Sequence, residues 1–87
     1  MTFDMFQEYI EEHILEGWKS DVELDVAMVT KNNGVQLRGL YIKSKEMNVS
    51  PAIYLDEYYS YYLKGESLEE IIRRIREEYE WKISRVA

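Results

Sequence analysis

The feature that most constrains the fold is an Asn33-Gly34 pair between two segments of alternating polarity. Before the pair, apolar residues occupy every second position: Val22, Leu24, Val26 and Met28. Both residues of an Asn-Gly pair tolerate positive φ, so the pattern predicts a tight β-hairpin. In the return strand the apolar parity changes at Gly39, after which Leu40 and Ile42 are apolar. A β-bulge at Gly39 is the predicted cause of that change.

The segment before the hairpin has the periodicity of an amphipathic helix. Its apolar residues recur at steps of three or four: Phe3, Phe6, Ile10 and Ile14. Thr2 is suited to cap the beginning of this helix and Gly17 to end it. We therefore predict a first helix over residues 3–16.

After the hairpin the sequence predicts a short strand and two more helices. A β-prone run covers residues 52–55, and Asp56 is placed to cap a second helix that runs to Gly65. Ser67 and Glu70 then have the spacing of a capping box. The helical period that follows is the strongest in the chain: Leu68, Ile71, Ile72, Ile75 and Tyr79.

These elements predict an α+β fold in a single domain over residues 1–87. Their order is α-β-β-β-α-α, and a three-stranded antiparallel sheet with the helices packed on one face would bury every apolar stripe. A chain of 87 residues buries only about 60% of its unfolded surface. Little room is therefore left for a deep substrate cleft.

The middle of the chain carries a block that resembles a known family. Its residues are Asn32-Asn33-Gly34-Val35-x-Leu37-x-Gly39-Leu40-x-Ile42, followed by Ser50-Pro51-x-Ile53-Tyr54-Leu55-x-x-Tyr58-Tyr59 and Gly65. The block resembles the amino-terminal region of an uncharacterised family of small bacterial proteins, a domain of unknown function, and the match covers about residues 6–79. The resemblance implies a common fold and carries no catalytic residue.

The residue types needed for catalysis are scarce. There is no Cys, which excludes disulfides, thiolate nucleophiles and Cys-ligated zinc. His13 is the only histidine and lies near the apolar stripe of the first helix, which favours a half-buried histidine over a general base. No phosphate loop, serine elbow or calcium loop occurs. We therefore expect a protein that is not an enzyme and needs no metal or cofactor.

Cysteine content and hydropathy predict a cytoplasmic protein without membrane contact. A chain without Cys suits a reducing compartment. No apolar run approaches the roughly 20 residues of a membrane span, and the amino terminus lacks the pattern of a signal peptide.

The acidic residues are concentrated at the amino-terminal end. The chain has 17 Asp and Glu against 11 Lys and Arg, a net charge of −6. Residues 1–25 hold eight of the acids and one lysine. Direct binding to nucleic acid is disfavoured, because phosphate contacts depend on Lys and Arg. In the last helix, acids and arginines have i,i+4 spacing and predict solvated ion pairs: Glu69–Arg73, Glu70–Arg74, Arg73–Glu77, Arg74–Glu78 and Arg76–Glu80.

The first helix, in contrast, carries acids without a base. Asp4, Glu8, Glu12 and Glu16 stand at successive i,i+4 positions with Glu11 beside them, and Glu23 and Asp25 are expected to extend the row from the next strand. Carboxylates four residues apart are spaced about 6 Å along a helix axis. The row has two interpretations: a solvated face that keeps the protein soluble, or a face that imitates a nucleic-acid backbone and docks onto a basic groove.

A second candidate surface is rich in tyrosine. Five tyrosines fall within nine residues: Tyr54, Tyr58, Tyr59, Tyr61 and Tyr62. They are interpreted either as amphipathic core lining or as an interface, since tyrosine is enriched at binding hot spots. For the interface we select Tyr58, Tyr59 and Tyr62.

Two functions remain open. The first is a non-catalytic inhibitor that mimics nucleic acid and binds a basic nucleic-acid enzyme, such as a CRISPR effector nuclease. In size and charge the chain resembles small acidic anti-CRISPR proteins, a likeness of composition. The second is a general protein–protein interaction domain whose acidic face serves only solubility.

Overall fold

The computed structural model describes residues 1–18, 22–46 and 50–86. Its elements are α1 (Phe3–His13), β1 (Val22–Thr30), β2 (Gln36–Ser44), β3 (Ala52–Tyr54), α2 (Leu55–Leu63) and α3 (Leu68–Val86). The strands form one antiparallel sheet in the order β1-β2-β3. The predicted α+β class and element order are confirmed.

The hairpin between β1 and β2 is regular throughout. Its register runs without interruption from Thr30 opposite Gln36 to Val22 opposite Ser44. The predicted β-bulge at Gly39 is therefore wrong. The apolar parity changes because residues before Gly39 contribute to the sheet face away from the helices, whereas later ones contribute to the core.

Gly39 has a steric role instead. A Cβ at this position would lie 3.1 Å from Val29 Cγ2 and 3.2 Å from Tyr41 Cε2. The absent side chain leaves room for the Tyr41 ring to lie across the strand. This arrangement occupies the sheet face that the helices do not cover.

The core lies between the other face of the sheet and the three helices. The sheet contributes Leu40, Ile42 and Ile53, all fully buried. The helices complete the core with Phe6, Ile10, Ile14, Leu55, Tyr58, Ile71, Ile75 and Tyr79. These residues belong to the stripes from which the helices were predicted, because each stripe is the face that burial removes from water.

Two helix boundaries differ from the prediction. α1 ends at His13, and Ile14 is its C-cap; turns then lead to Gly17, whose φ is +72°. α2 begins at Leu55, with Tyr54 at the N-cap position. Asp56 therefore lies inside the first turn of α2 and does not cap it.

Candidate protein-binding surfaces

The acidic row that begins on α1 has a side-chain partner at each of its two ends. Asp4 lies 2.8 Å from the Arg38 guanidinium of β2. At the other end, the Glu16 carboxylate lies 2.6 Å from His13 Nδ1. The row was predicted to be unpaired because α1 itself has no Lys or Arg, and periodicity does not reveal a base that arrives from the sheet.

The middle of the row remains unpaired. Glu8 and Glu12 are exposed and Glu11 is half-buried, and none of the three has an ion-pair partner among residues 1–18, 22–46 and 50–86. Glu8 and Glu12 are one helical turn apart, about 6 Å along the axis. The three carboxylates form a compact negative patch, which we call the α1 patch.

Glu23 and Asp25 do not extend this patch. Leu24 pairs with buried Ile42, so the even-numbered residues of β1 face the helices and the odd-numbered ones face away. Glu23 and Asp25 therefore lie on the sheet face opposite α1. Asp25 is also 3.4 Å from the Lys43 ammonium. The expected continuous acidic surface is wrong for these two residues.

The tyrosines selected for an interface make internal contacts. Tyr58 is only 6% exposed, and its hydroxyl donates to Glu78 Oε1 at 2.6 Å. Burial raises the pKa of Tyr58 well above its ordinary value, and the hydrogen bond to the Glu78 carboxylate raises it further. Tyr58 is thus a neutral hydrogen-bond donor in the core, not a surface contact.

Tyr59 and Tyr62 pack against the beginning of α1. The Tyr59 ring stacks on Phe3 with centroids 4.7 Å apart, and its hydroxyl donates to the Met1 carbonyl at 2.9 Å. Tyr62 lies 5.8 Å from the Phe6 ring. Both side chains are half-buried. The core-lining interpretation therefore describes all three selected tyrosines better than the interface does.

The aromatic residues that reach solvent lie in a groove between α2 and α3. The groove has a volume of about 470 Å³, and Tyr61 and Trp81 on its walls are 37% and 55% exposed. Glu57 and Glu77 are exposed on its rim. Sequence reasoning missed Trp81, although its position two residues after Tyr79 places it off the core stripe of α3.

The ion pairs on α3 follow the predicted spacing only in part. Arg73 with Glu77 and Arg74 with Glu70 are confirmed. The other three predicted pairs do not form, because their arginines or acids bind elsewhere: Arg73 also binds Glu70, Arg74 binds Glu66, and Glu78 binds Lys82.

Arg76 was predicted to pair with Glu80 and instead binds the end of α1. Its Nε donates to the Ile14 carbonyl at 2.9 Å, and its Nη2 donates to the Glu16 carbonyl. The last carbonyls of a helix lack partners within the helix, so a guanidinium satisfies them well. Arg76 is therefore a structural link between α3 and α1.

The single histidine is half-buried, as predicted. Its ring lies 4.1 Å from the Tyr9 ring, beside a groove of about 390 Å³ between α1 and α3. Among residues 1–18, 22–46 and 50–86, no group of three or more His, Asp or Glu side chains is arranged to hold a metal ion. In the same ranges no helix is long and apolar enough to cross a membrane.

The fold and its surfaces define a small α+β domain with an acidic helix and a core of aliphatic and aromatic side chains. The sequence matches the model of DUF5688, a family of unknown function, over residues 3–86. The chain belongs to that family. Nothing among the curated proteins or the solved structures matches it significantly.

Proposed function

We propose that this domain is a non-catalytic binding protein that docks the α1 patch onto a basic protein surface. In its specific form, that surface is a groove that otherwise holds nucleic acid, such as the groove of a CRISPR effector nuclease. The observation that carries the proposal is that Glu8, Glu11 and Glu12 lack ion-pair partners among the described residues.

The electrostatics of α1 support this proposal. Like charges at i,i+4 repel each other by a few tenths of a kcal/mol, so the Glu8–Glu12 pair opposes helix formation slightly. A basic partner removes that repulsion and gains charge-assisted hydrogen bonds. Arg38 and His13 contact the acids at the two ends of the row, but no base among the described residues contacts the α1 patch.

The experiment is a competition assay with a double charge reversal. The probe is a CRISPR effector nuclease, with its guide RNA labelled and the domain added as competitor at 0.05 M and 0.5 M salt. The native chain is expected to displace the RNA at low salt and to weaken steeply as salt increases. The variant Glu8→Lys/Glu12→Lys is expected to lose displacement by about 100-fold or more, since two attractive contacts become repulsive.

The matched control is Glu46→Lys/Glu80→Lys. It makes the same change in net charge at two exposed acids that lie neither in the α1 patch nor in the lining of the groove between α2 and α3. Equal losses in both double variants contradict a role for the α1 patch and indicate net charge alone. Binding of the native chain to the nuclease without displacement of RNA contradicts the mimic and leaves a basic protein surface as partner.

A second candidate function uses the groove between α2 and α3, with the acids of α1 serving solubility. It is favoured by the exposure of Trp81, because aromatic side chains at this level of exposure are enriched in interfaces. Trp81→Ala then abolishes partner binding and Glu8→Lys/Glu12→Lys does not. The two candidates give opposite results in the same assay.

A further inference from the structure

The outer edge of β1 presents a row of backbone groups that no strand among the described residues pairs. The Lys31 N–H donates to the Val35 carbonyl at 2.9 Å, so this opposed pair is of the hydrogen-bonded type. Hydrogen-bonded and non-hydrogen-bonded pairs alternate along an antiparallel ladder. The backbone groups of the odd-numbered residues of β1 therefore point to β2. Those of the even-numbered residues point outward: Val22, Leu24, Val26, Met28 and Thr30.

The same alternation is confirmed on the other side of the hairpin. It predicts that the N–H of Arg38 points away from β1, beyond the end of β3. There the Asp56 carboxylate accepts that N–H at 2.7 Å. At the outer edge of β3, the Lys82 ammonium donates to the Ala52 carbonyl at 2.7 Å. Among the described residues, no side chain accepts the outward N–H groups of β1.

We propose that the outer edge of β1 binds the same edge of a second copy of this chain, antiparallel, about a two-fold axis between the two Ala27 residues. The two sheets then join into one sheet of six strands. The side chains at this edge support the pairing, because Met28 faces the helix side of the sheet yet is 58% exposed. In the proposed register Met28 lies directly opposite Val26 of the second copy.

Charge favours this register over neighbouring ones, each defined by the β1 residue that lies on the two-fold axis. An axis at Met28 sets Lys31 opposite Asp25, which already pairs with Lys43. An axis at Asp25 sets the two Asp25 carboxylates against each other, and an axis at Val26 sets Glu23 opposite Val29 without an ion partner. An axis at Ala27 sets Glu23 opposite Lys31 of the second copy, twice. These are non-hydrogen-bonded pairs, in which side chains approach most closely.

Both groups of that cross-strand pair are available. Glu23 is exposed and has no ion pair among the described residues, and its neighbour Lys43 is engaged by Asp25. Lys31 is exposed, and its ammonium lies 5.0 Å from the centroid of the Tyr54 ring. In the dimer it turns from that ring to the carboxylate of Glu23 in the second copy.

The experiment is a charge exchange followed by sedimentation equilibrium at 0.15 M salt. Glu23→Lys alone sets Lys opposite Lys across the axis, and Lys31→Glu alone sets Glu opposite Glu. Each variant alone is expected to raise the dimer dissociation constant about tenfold or more, and an equimolar mixture restores dimers because both pairs become opposite in charge. Circular dichroism checks that each variant is folded.

A second variant tests the backbone. Val26→Pro removes an outward N–H without removing a bond of the β1–β2 ladder, and it is expected to weaken the dimer about tenfold or more. A native chain that stays monomeric to 0.5 mM overturns the proposal. A dimer whose dissociation constant is unchanged by Val26→Pro also overturns the proposal. If the equimolar mixture of the two charge variants does not restore dimers, the proposed register is wrong. None of these results depends on the α1 patch, so they are independent of the proposed function.

Discussion

The two edges of the sheet differ in how their backbone groups are satisfied. At the β3 edge, where the strand has only three residues, side chains take the place of a missing neighbour: Asp56 accepts from Arg38 and Lys82 donates to Ala52. At the β1 edge, a nine-residue strand has no such side chain among the described residues. Proteins usually protect long edges, because an open edge is a template for another strand.

The comparison also explains the observed positions of two residues, one predicted as a helix cap and one as a partner contact. Asp56 was expected to cap α2, and Tyr58 was expected to contact a partner. Tyr58 instead donates to Glu78, whose other oxygen lies 2.8 Å from the Lys82 ammonium. The β3 edge is therefore supported by a relay of three side chains in contact: Tyr58, Glu78 and Lys82.

The largest effect is expected from proline at neighbouring positions of β1. Ala27→Pro removes an N–H that points to β2 and leaves the Gly39 carbonyl without its donor, at a cost of about 3 kcal/mol or more. Val26→Pro removes an outward N–H and is expected to cost only about 1 kcal/mol more than Val26→Ala, which serves as the reference because the Val26 side chain also packs against the core. Urea unfolding at low micromolar concentration measures both. Equal costs contradict the assignment of the outward groups.

The next largest effect is expected at the β3 edge. Asp56→Ala leaves the half-buried Arg38 N–H without an acceptor and is expected to lower the free energy of unfolding by about 2 kcal/mol. Asp56→Asn keeps an oxygen acceptor and is expected to recover about half of that loss. Glu57→Gln is the control, because Glu57 is also in the first turn of α2 but is exposed. A loss at Glu57 as large as at Asp56 contradicts the role of Asp56 as the acceptor for the Arg38 N–H.

A smaller effect is expected from the relay. Tyr58→Phe removes the hydrogen bond to Glu78 and is expected to cost about 1 kcal/mol at pH 7. Because the pKa of Tyr58 is raised in the folded protein, its contribution is complete below the unfolded value of about 10 and is lost as pH rises above it.

Unfolding measured between pH 8 and 11 checks the sign of that dependence. The native chain is expected to lose stability above pH 10 more steeply than Tyr58→Phe. Tyr79, whose pKa is also raised by burial, retains part of the slope in both proteins. Identical slopes in the two proteins contradict the account of Tyr58.

The sequence predicts the elements of this fold better than it predicts its surfaces. Periodicity identifies Phe6 and Ile10 as core residues, because apolar residues three or four positions apart lie on the same face of a helix. The ion pair between Asp4 and Arg38 and the contact of Arg76 with the end of α1 join residues far apart in the chain. No local pattern encodes such contacts, so the sequence predicted an unpaired acidic row that is longer than the one observed.

Gly39 shows the same limit within one strand, and its replacement has the smallest expected effect. The change of parity at Gly39 is visible in the sequence, but a bulge and a regular strand whose apolar residues change from one sheet face to the other account for it equally well. In a bulge, Gly39→Ala strains the backbone and destabilises the hairpin. In the regular strand observed, its Cβ meets only the side chains of Val29 and Tyr41, at 3.1 and 3.2 Å.

Those two side chains end in rotatable groups on the uncovered face of the sheet, so they can shift by a few tenths of an ångström. Alanine also lowers the entropy of the unfolded chain, which offsets the crowding by about 0.4–1 kcal/mol. We expect Gly39→Ala to change the free energy of unfolding by no more than about 0.5 kcal/mol. Gly34→Ala, at φ +83° in the turn, is the matched control and is expected to cost about 1 kcal/mol or more. A loss at Gly39 larger than at Gly34 contradicts the expectation that Val29 and Tyr41 move aside to accept the added methyl group.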